Sequence, residues 1–382
     1  MTLVHRCESV ADVVAGLRAG AARGERVVAR GGGHCFAGRS STDGIVLDLA
    51  GLDGISVADG IATVGAGVRL GALYDALHRV GRAVPGGCGA GVGIAGLTLG
   101  GGIGLLGRKY GLTCDRLVGV QVVLADGRVV EASEASEPEL FWALRGAGGG
   151  QFGVVTEFRF ATVAEPVMTR IEARCTEDLA EVIAWWQEWA PDAPDEVTVN
   201  LSVGAGGARL FGASMLDANE TRELLPAGVE VRGGLPYAEV KSSFADPLEQ
   251  PAVRIRSEFF EQSLRTATIK ALVEQLGGEL AFTAMGGAYN RVAPDATAFA
   301  HRRTRFLLEH VGAVGDPWVD ASWAIATSDG AGRVYPNFPD PALDDWAAAY
   351  HGGNYARLQA VKRAYDPEQF FDFPQAISGG DR

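Results

Sequence analysis

Lysine is scarce in this chain of 382 residues: among 34 basic residues only Lys109, Lys241, Lys270 and Lys362 are lysines, a bias of coding rather than of chemistry. With 47 acidic residues the net charge is −13, which excludes general binding to a phosphate backbone, a task for clustered Lys and Arg. The five cysteines (Cys7, Cys35, Cys88, Cys114, Cys175) are an odd, widely spaced set without a CxxC pair, so neither a zinc site nor a disulfide framework is indicated and a reducing compartment fits best. An unbroken apolar leader is also lacking. His5, Arg6, Glu8 and Asp12 interrupt the N-terminus, which points to a cytoplasmic protein. No GxSxG, HExxH or Walker sequence occurs, so hydrolase, zincin and P-loop readings have no local support.

Apolar side chains and glycine are plentiful. At 47% hydrophobic and 21% charged, the chain is able to bury a large core and is expected to divide into two domains. Residues 86–107 carry no charge over 22 positions, long enough to cross a bilayer, but 11 of them are glycine. Each interior glycine costs a helix roughly 0.5 to 1 kcal/mol relative to alanine, so the segment reads as a ligand-lining loop rather than a membrane span. It holds two GxGxxG matches, Gly91/Gly93/Gly96 and Gly102/Gly104/Gly107. Neither follows the apolar strand that a nicotinamide-type phosphate turn needs, and in so glycine-rich a stretch such matches arise by chance.

A second glycine cluster, Arg30-Gly31-Gly32-Gly33-His34, follows the apolar run Val27, Val28, Ala29. Three glycines let a backbone approach a ligand closely and offer amide donors to an anion, and Arg30 adds positive charge. Taken alone, the segment reads first as an ordinary tight turn bearing an exposed histidine, since glycine loops are common.

Ser9 is placed to cap a helix ending near Ala22, followed by a strand over 26–30. Short strands are expected at 44–49, 55–58 and 61–64, then a helix carrying Leu70, Leu73, Tyr74, Leu77 and Val80. Residues 117–124 and 129–131 flank Ala-Asp-Gly as a hairpin; Pro138 opens a helix, and a strand follows over 154–160. Beyond Pro166 a helix over 178–189, with Trp185, Trp186 and Trp189 as packing residues, stands among strand-like runs at 196–203 and 210–215. Helices are expected over 344–350 and 355–364, the last ended by Tyr365-Asp366-Pro367. His78 and His301 fall in expected helices as surface or packing residues.

Four segments, RGGGHCFAGRSSTDGIVLDL, GGCGAGVGIAGLTLGGGIGLLGRKYGLTCD, LFWALRGAGGGQFGVVTEF and GGNYARLQAVKRAYDPEQFF, together resemble the berberine-bridge-enzyme-like flavoprotein oxidases in order and rough spacing over nearly the whole chain. The resemblance implies an α+β, vanillyl-alcohol-oxidase-type architecture: a PCMH-type FAD-binding domain over 1–165, a substrate domain over 166–345 with an antiparallel sheet covered by helices, and a C-terminal segment over 346–382 returning to the FAD domain. It implies FAD bonded covalently through His34, with Arg30, Gly31, Gly32, Gly33, Gly38, Arg39 and Ser40 about the pyrophosphate. Further cofactor contacts are implied at Pro85, Gly86, Gly87, Cys88, Gly93, Gly96, Leu97, Gly100, Gly101 and Gly104. Gly149, Gly150, Gln151, Val155, Asn337, Asn354 and Tyr355 complete the set. A histidyl bond withdraws electrons from the ring and favours hydride uptake.

The chain departs from the family pattern in places. The cysteine that makes a second flavin bond in many members aligns with Gly89, one residue after Cys88, so a single histidyl bond is expected. Tyr335-Pro336-Asn337-Phe338 resembles the family's YxNY motif with its second tyrosine lost, leaving Tyr335 as base or orienting hydroxyl, or as a structural residue over the flavin. Members commonly carry extra residues before the stretch matching 4–7, and the middle domain here is short. The resemblance implies an FAD-dependent oxidoreductase that takes hydride from a carbon bearing hydroxyl or amine in a small or secondary-metabolite substrate and passes electrons to O2. A dehydrogenase with another acceptor, a non-redox cyclase using FAD structurally, and a binding protein without turnover stand as alternatives. Tyr237, Arg256, Tyr289 and Arg302 are candidates for the substrate pocket.

Overall fold

The computed structural model describes residues 2–244 and 252–380. The chain begins with a parallel three-stranded sheet in which Ile45–Asp48 lies between Leu3–Arg6 and Val27–Arg30. The helix Val10–Arg23 connects its outer strands. Ser9 caps that helix in a capping box with Asp12, and Gly24 ends it at φ 61°, a left-handed geometry that glycine adopts without a Cβ penalty. A five-stranded antiparallel sheet follows, in the order Ile55–Ala58, Ile61–Gly65, Val154–Ala161, Leu117–Val123, Val129–Ala132. Its apolar side chains merge with those of the first sheet in the largest core, which also takes in Met168, Ala213, Leu235, Tyr237, Val240 and Phe244 from beyond residue 165.

The second sheet system is a seven-stranded antiparallel layer: Glu230–Pro236, Val167–Cys175, Gly207–Ser214, Val197–Gly204, Glu279–Ala284, Phe306–Ala313 and Val253–Phe260. Side chains alternate across it. Leu201, Val203, Leu280, Phe282, Phe306 and Leu308 pack against Trp186, Ile269, Leu272 and Ala326 of three helices, Leu179–Trp189, Thr266–Glu274 and Trp318–Ala326. The opposite face turns to the first unit, where Phe259, Met285 and Leu307 meet Leu112, Tyr289 and Tyr335. The helix Tyr355–Tyr365 returns to the first unit, where buried Lys362 donates to Gln151 O at 2.7 Å and pairs with Asp366.

Two local expectations are corrected. His301 lies in no helix: Ala298 and Phe299 send their amides to Trp142 O and Arg145 O, so this stretch spends its backbone bonds on the first unit rather than on itself. The glycine-rich segment is not wholly loop, because Ile94–Leu99 forms a short helix inside it. Among the described residues no helix is long and apolar enough to cross a membrane.

Candidate active site

The two glycine clusters of the sequence meet backbone to backbone. A Cβ built on Gly32 would sit 2.3 Å from Gly93 N, and one on Gly93 would sit 2.4 Å from Gly32 N, so glycine is a steric requirement at both positions. His34 is exposed beyond this contact, its Nε2 3.3 Å from where a Cβ of Gly91 would be. On the next turn Gly96 faces open space from the middle of Ile94–Leu99. The result is a cradle walled by main chain.

Its positive charge is unspent. Arg30 donates to Ser40 O and Ser41 Oγ, Arg39 to Gln375 Oε1, and Arg69 to Gly91 O; among the described residues none of the three has a carboxylate partner. Guanidinium groups collected beside backbone amides and lacking acidic partners suit an anionic, phosphate-bearing ligand. A glycine cradle flanked by unpaired guanidinium groups, with an exposed histidine at its rim, fits FAD.

The remaining implied contacts separate into groups. Gly100 and Leu97 meet Asn337: a Cβ on Gly100 would strike Asn337 Oδ1 at 2.1 Å, and Asn337 Nδ2 donates to Leu97 O at 2.8 Å and to Tyr335 Oη at 3.0 Å. Gly101 and Gly104 continue the wall, with Tyr289 hydrogen-bonded to Gly104, and Gly38 closes a turn at φ 68°. Pro85, Gly86 and Gly87 have carbonyls already engaged by Thr113, Lys241 and Tyr74, and Cys88 Sγ lies 3.5 Å from Lys241 Nζ. Gly149 touches Leu99 and Gly150 approaches Phe373. Gln151 Oε1 accepts from Ile377 N and Val155 is core. Asn354 Nδ2 donates to Pro294 O and Thr297 O, while Tyr355 stacks on His351, so these two join the C-terminal segment to its neighbours.

Tyr335 closes the far side. Its oxygen accepts N–H bonds from Gly102 at 3.0 Å and from Asn337. Those donors favour the phenolate, but burial outweighs them and pushes the phenol up to about 12. Phe338 stands edge-on to Tyr335 at 5.1 Å and to exposed Phe36 at 5.5 Å, giving the mouth an aromatic lip. Of the four pocket candidates, Arg302 is buried on Asp115, Arg256 on Asp320 and Asp340, and Tyr289 on Gly104; the Tyr237 hydroxyl, beside Tyr74, has no hydrogen-bond partner among the described residues.

A feature not read from the sequence lies across the roof. Strand register aligns Arg174, Arg209, Ser202, Ala281, Glu309 and Ser257 in one transverse row on the face turned to the cradle. Ser257 Oγ is buried without a hydrogen-bond partner among the described residues, and Arg209 donates to Glu172. Period-two alternation in 207–214 is its only trace in the sequence, because each strand supplies a single member.

A cofactor cradle of main chain and arginine under a sheet roof defines a nucleotide-cofactor oxidoreductase. A family model described as an FAD binding domain matches residues 1–133, and one described as berberine and berberine like matches residues 334–378. The chain is 34% identical to the FAD-linked oxidoreductase YgaK of Bacillus subtilis (strain 168), over 91% of this chain and 84% of that protein. It is 30% identical to the chitooligosaccharide oxidase of Gibberella zeae, over 97% of this chain and 85% of that protein. A structure of the glucooligosaccharide oxidase of Acremonium strictum, whose FAD is 6-S-cysteinyl and 8α-N1-histidyl, superposes with a TM-score of 0.91 at 26% identity, covering 100% of this chain and 93% of that one. The chain belongs to the berberine-bridge-enzyme-like family of FAD-linked oxidoreductases, and it is an FAD-binding enzyme of this fold.

Proposed function

We propose that the protein is an oxidase that removes hydride from a hydroxyl-bearing carbon of a carbohydrate, with O2 as the final acceptor and His34 as a single covalent tether to FAD. The observation that carries the substrate class is the polar row across the roof. Sugar hydroxyls need donors and acceptors side by side, and Arg174, Arg209, Ser202, Glu309 and Ser257 supply both where an aromatic substrate would call for an apolar face. The relatives that are oligosaccharide oxidases agree with this reading. Bound FAD supplies the two-electron acceptor; the chain's own residues bind, orient and exclude water.

Arg30 and Arg39 would hold the pyrophosphate, and His34 the benzenoid edge. Cys88 sits one residue before the position aligned with the family's second tether, and Lys241 lies against its thiol on the Tyr74 side, which favours one bond over two. Tyr335, neutral at physiological pH, orients the reacting hydroxyl through an oxygen fixed by Gly102 and Asn337.

Peroxide release with mono- and oligosaccharides, set against aromatic alcohols, tests the reading. Peroxide is expected from sugars; flavin that bleaches anaerobically with an aromatic alcohol and never with a sugar overturns the substrate class, and flavin that no tested substrate bleaches overturns the oxidase. Acid-precipitated wild type is expected to keep its yellow colour, with one FAD added to its intact mass, and His34→Ala to release all of it. Colour retained in His34→Ala would assign the bond elsewhere.

A further inference from the structure

Gln375 departs from ordinary backbone geometry and touches both sides of the cleft. It holds φ +66°, a left-handed conformation uncommon for a residue with a side chain. Its side chain makes four contacts. Oε1 accepts from Arg39 Nη2 at 2.8 Å and from the Tyr350 hydroxyl at 3.1 Å; Nε2 donates to Asp340 O at 2.9 Å and to Leu343 O at 3.5 Å. Two residues earlier, Phe373 lies under the Arg39 guanidinium at 4.9 Å. The tail therefore grips Arg39 by its face and its edge.

Asp340 continues the network. Its amide donates to Tyr350 Oη at 2.7 Å, and its carboxylate takes Arg256 Nε at 2.7 Å from the outermost roof strand. It stands five residues after Tyr335, in the loop whose Phe338 amide turns back onto Tyr335 O at 2.9 Å. Strain kept at one residue, repaid by hydrogen bonds to two loops that otherwise meet only edge to face at Phe36 and Phe338 and through Tyr350, is what a fastening point looks like.

We propose that Gln375 is a positioning residue that locks the Arg39 loop to the Tyr335 loop, so that holding the cofactor's pyrophosphate and presenting the Tyr335 hydroxyl are one event. The inference rests on the placement of Arg39 at the pyrophosphate given above. A primary amide suits the post because it accepts from Arg39 and donates to Asp340 O at once. A carboxylate keeps only the first bond, and alanine or glycine keeps neither.

Three variants of the whole enzyme separate these roles. Gln375→Gly relieves the backbone and removes both bonds; Gln375→Ala removes both bonds and keeps the strain; Gln375→Glu keeps the grip on Arg39 alone. Gln375→Gly and Gln375→Ala are expected to carry less covalent flavin by intact mass, even where Gln375→Gly melts no lower than wild type. Gln375→Glu is expected to load less flavin because its carboxylate takes up the Arg39 charge, and in the loaded fraction to show shifted visible flavin bands and about tenfold lower kcat at nearly unchanged KM, the effect of one buried hydrogen bond left unmade. Wild-type flavin content and spectrum in Gln375→Gly would overturn the proposal and leave Gln375 as a strained turn. Flavin content and spectrum are read without substrate, so they stand apart from any failure of the carbohydrate assignment.

Discussion

The wall of the cleft and its roof are built by opposite means. The wall is main chain: Gly32 against Gly93, Gly100 against Asn337, and the Leu97 carbonyl held by Asn337. The roof is side chain, with Arg174, Arg209, Ser202, Glu309 and Ser257 each drawn from a different strand of one sheet. A wall of glycine has almost no side chains to vary, so it can hold one kind of ligand; a roof of alternating side chains is free to change its ligand one residue at a time. Under the proposed function, cofactor and substrate are read by surfaces with very different tolerance to mutation.

The sharpest way to break that contrast is a methyl group in the wall. Gly32→Ala would place a Cβ 2.3 Å from backbone that cannot swing away, whereas Gly206→Ala on the roof hairpin meets nothing within 4 Å. The wall variant is expected to lose about 1–3 kcal/mol or more and most of its flavin, while the roof variant stays within about 0.5 kcal/mol. Denaturant titration and flavin absorbance per protein measure both. Equal behaviour of the two variants would end the distinction between wall and roof.

Next in size is a change of charge in the roof. Glu309→Gln is expected to raise KM for the best sugar about tenfold, as for a charge-assisted hydrogen bond lost, with flavin content and kcat nearly unchanged. A loss of flavin instead would place Glu309 with the cofactor and blur the two surfaces.

The same contrast explains what could be read in advance. Gly31–Gly33, His34 and residues 86–107 are contiguous, and their composition is a local demand of close backbone approach, so the cradle was legible. The strands 197–204 and 207–214 were visible through alternation, yet the row they share with 253–260, 279–284 and 306–313 depends on register between distant segments. Gln375 gave no signal: a lone glutamine near the C-terminus acquires meaning only when the fold brings Arg39 and Asp340 to it. His301 lies outside any helix because the backbone partners of Ala298 and Phe299 just before it, Trp142 and Arg145, lie about 150 residues earlier and no local pattern reports them.

The smallest functional effect is expected behind the roof. Glu258 is buried on the face away from the row, where its Oε1 accepts the Gly332 amide at 2.7 Å and Oε2 has no hydrogen-bond partner among the described residues. Burial pushes its carboxyl up to about 7, above the value it returns to on unfolding. The folded chain therefore holds this proton more tightly than the unfolded chain, so stability falls as pH rises from the ordinary carboxylate range to about 7 and is level above it. Glu258→Gln keeps an acceptor for Gly332 and removes the charge. It is expected to be more stable than wild type by about 1–3 kcal/mol near pH 8, with the gap closing toward pH 4, and to change kcat little, because the loop of Tyr335 remains tied to the strand through Phe259 N and Arg333 O. Denaturation at both pH values gives the answer. A gap that stays constant would mean that Glu258 titrates alike in the folded and the unfolded chain, and that the roof's back face is as indifferent to charge as the glycine wall opposite.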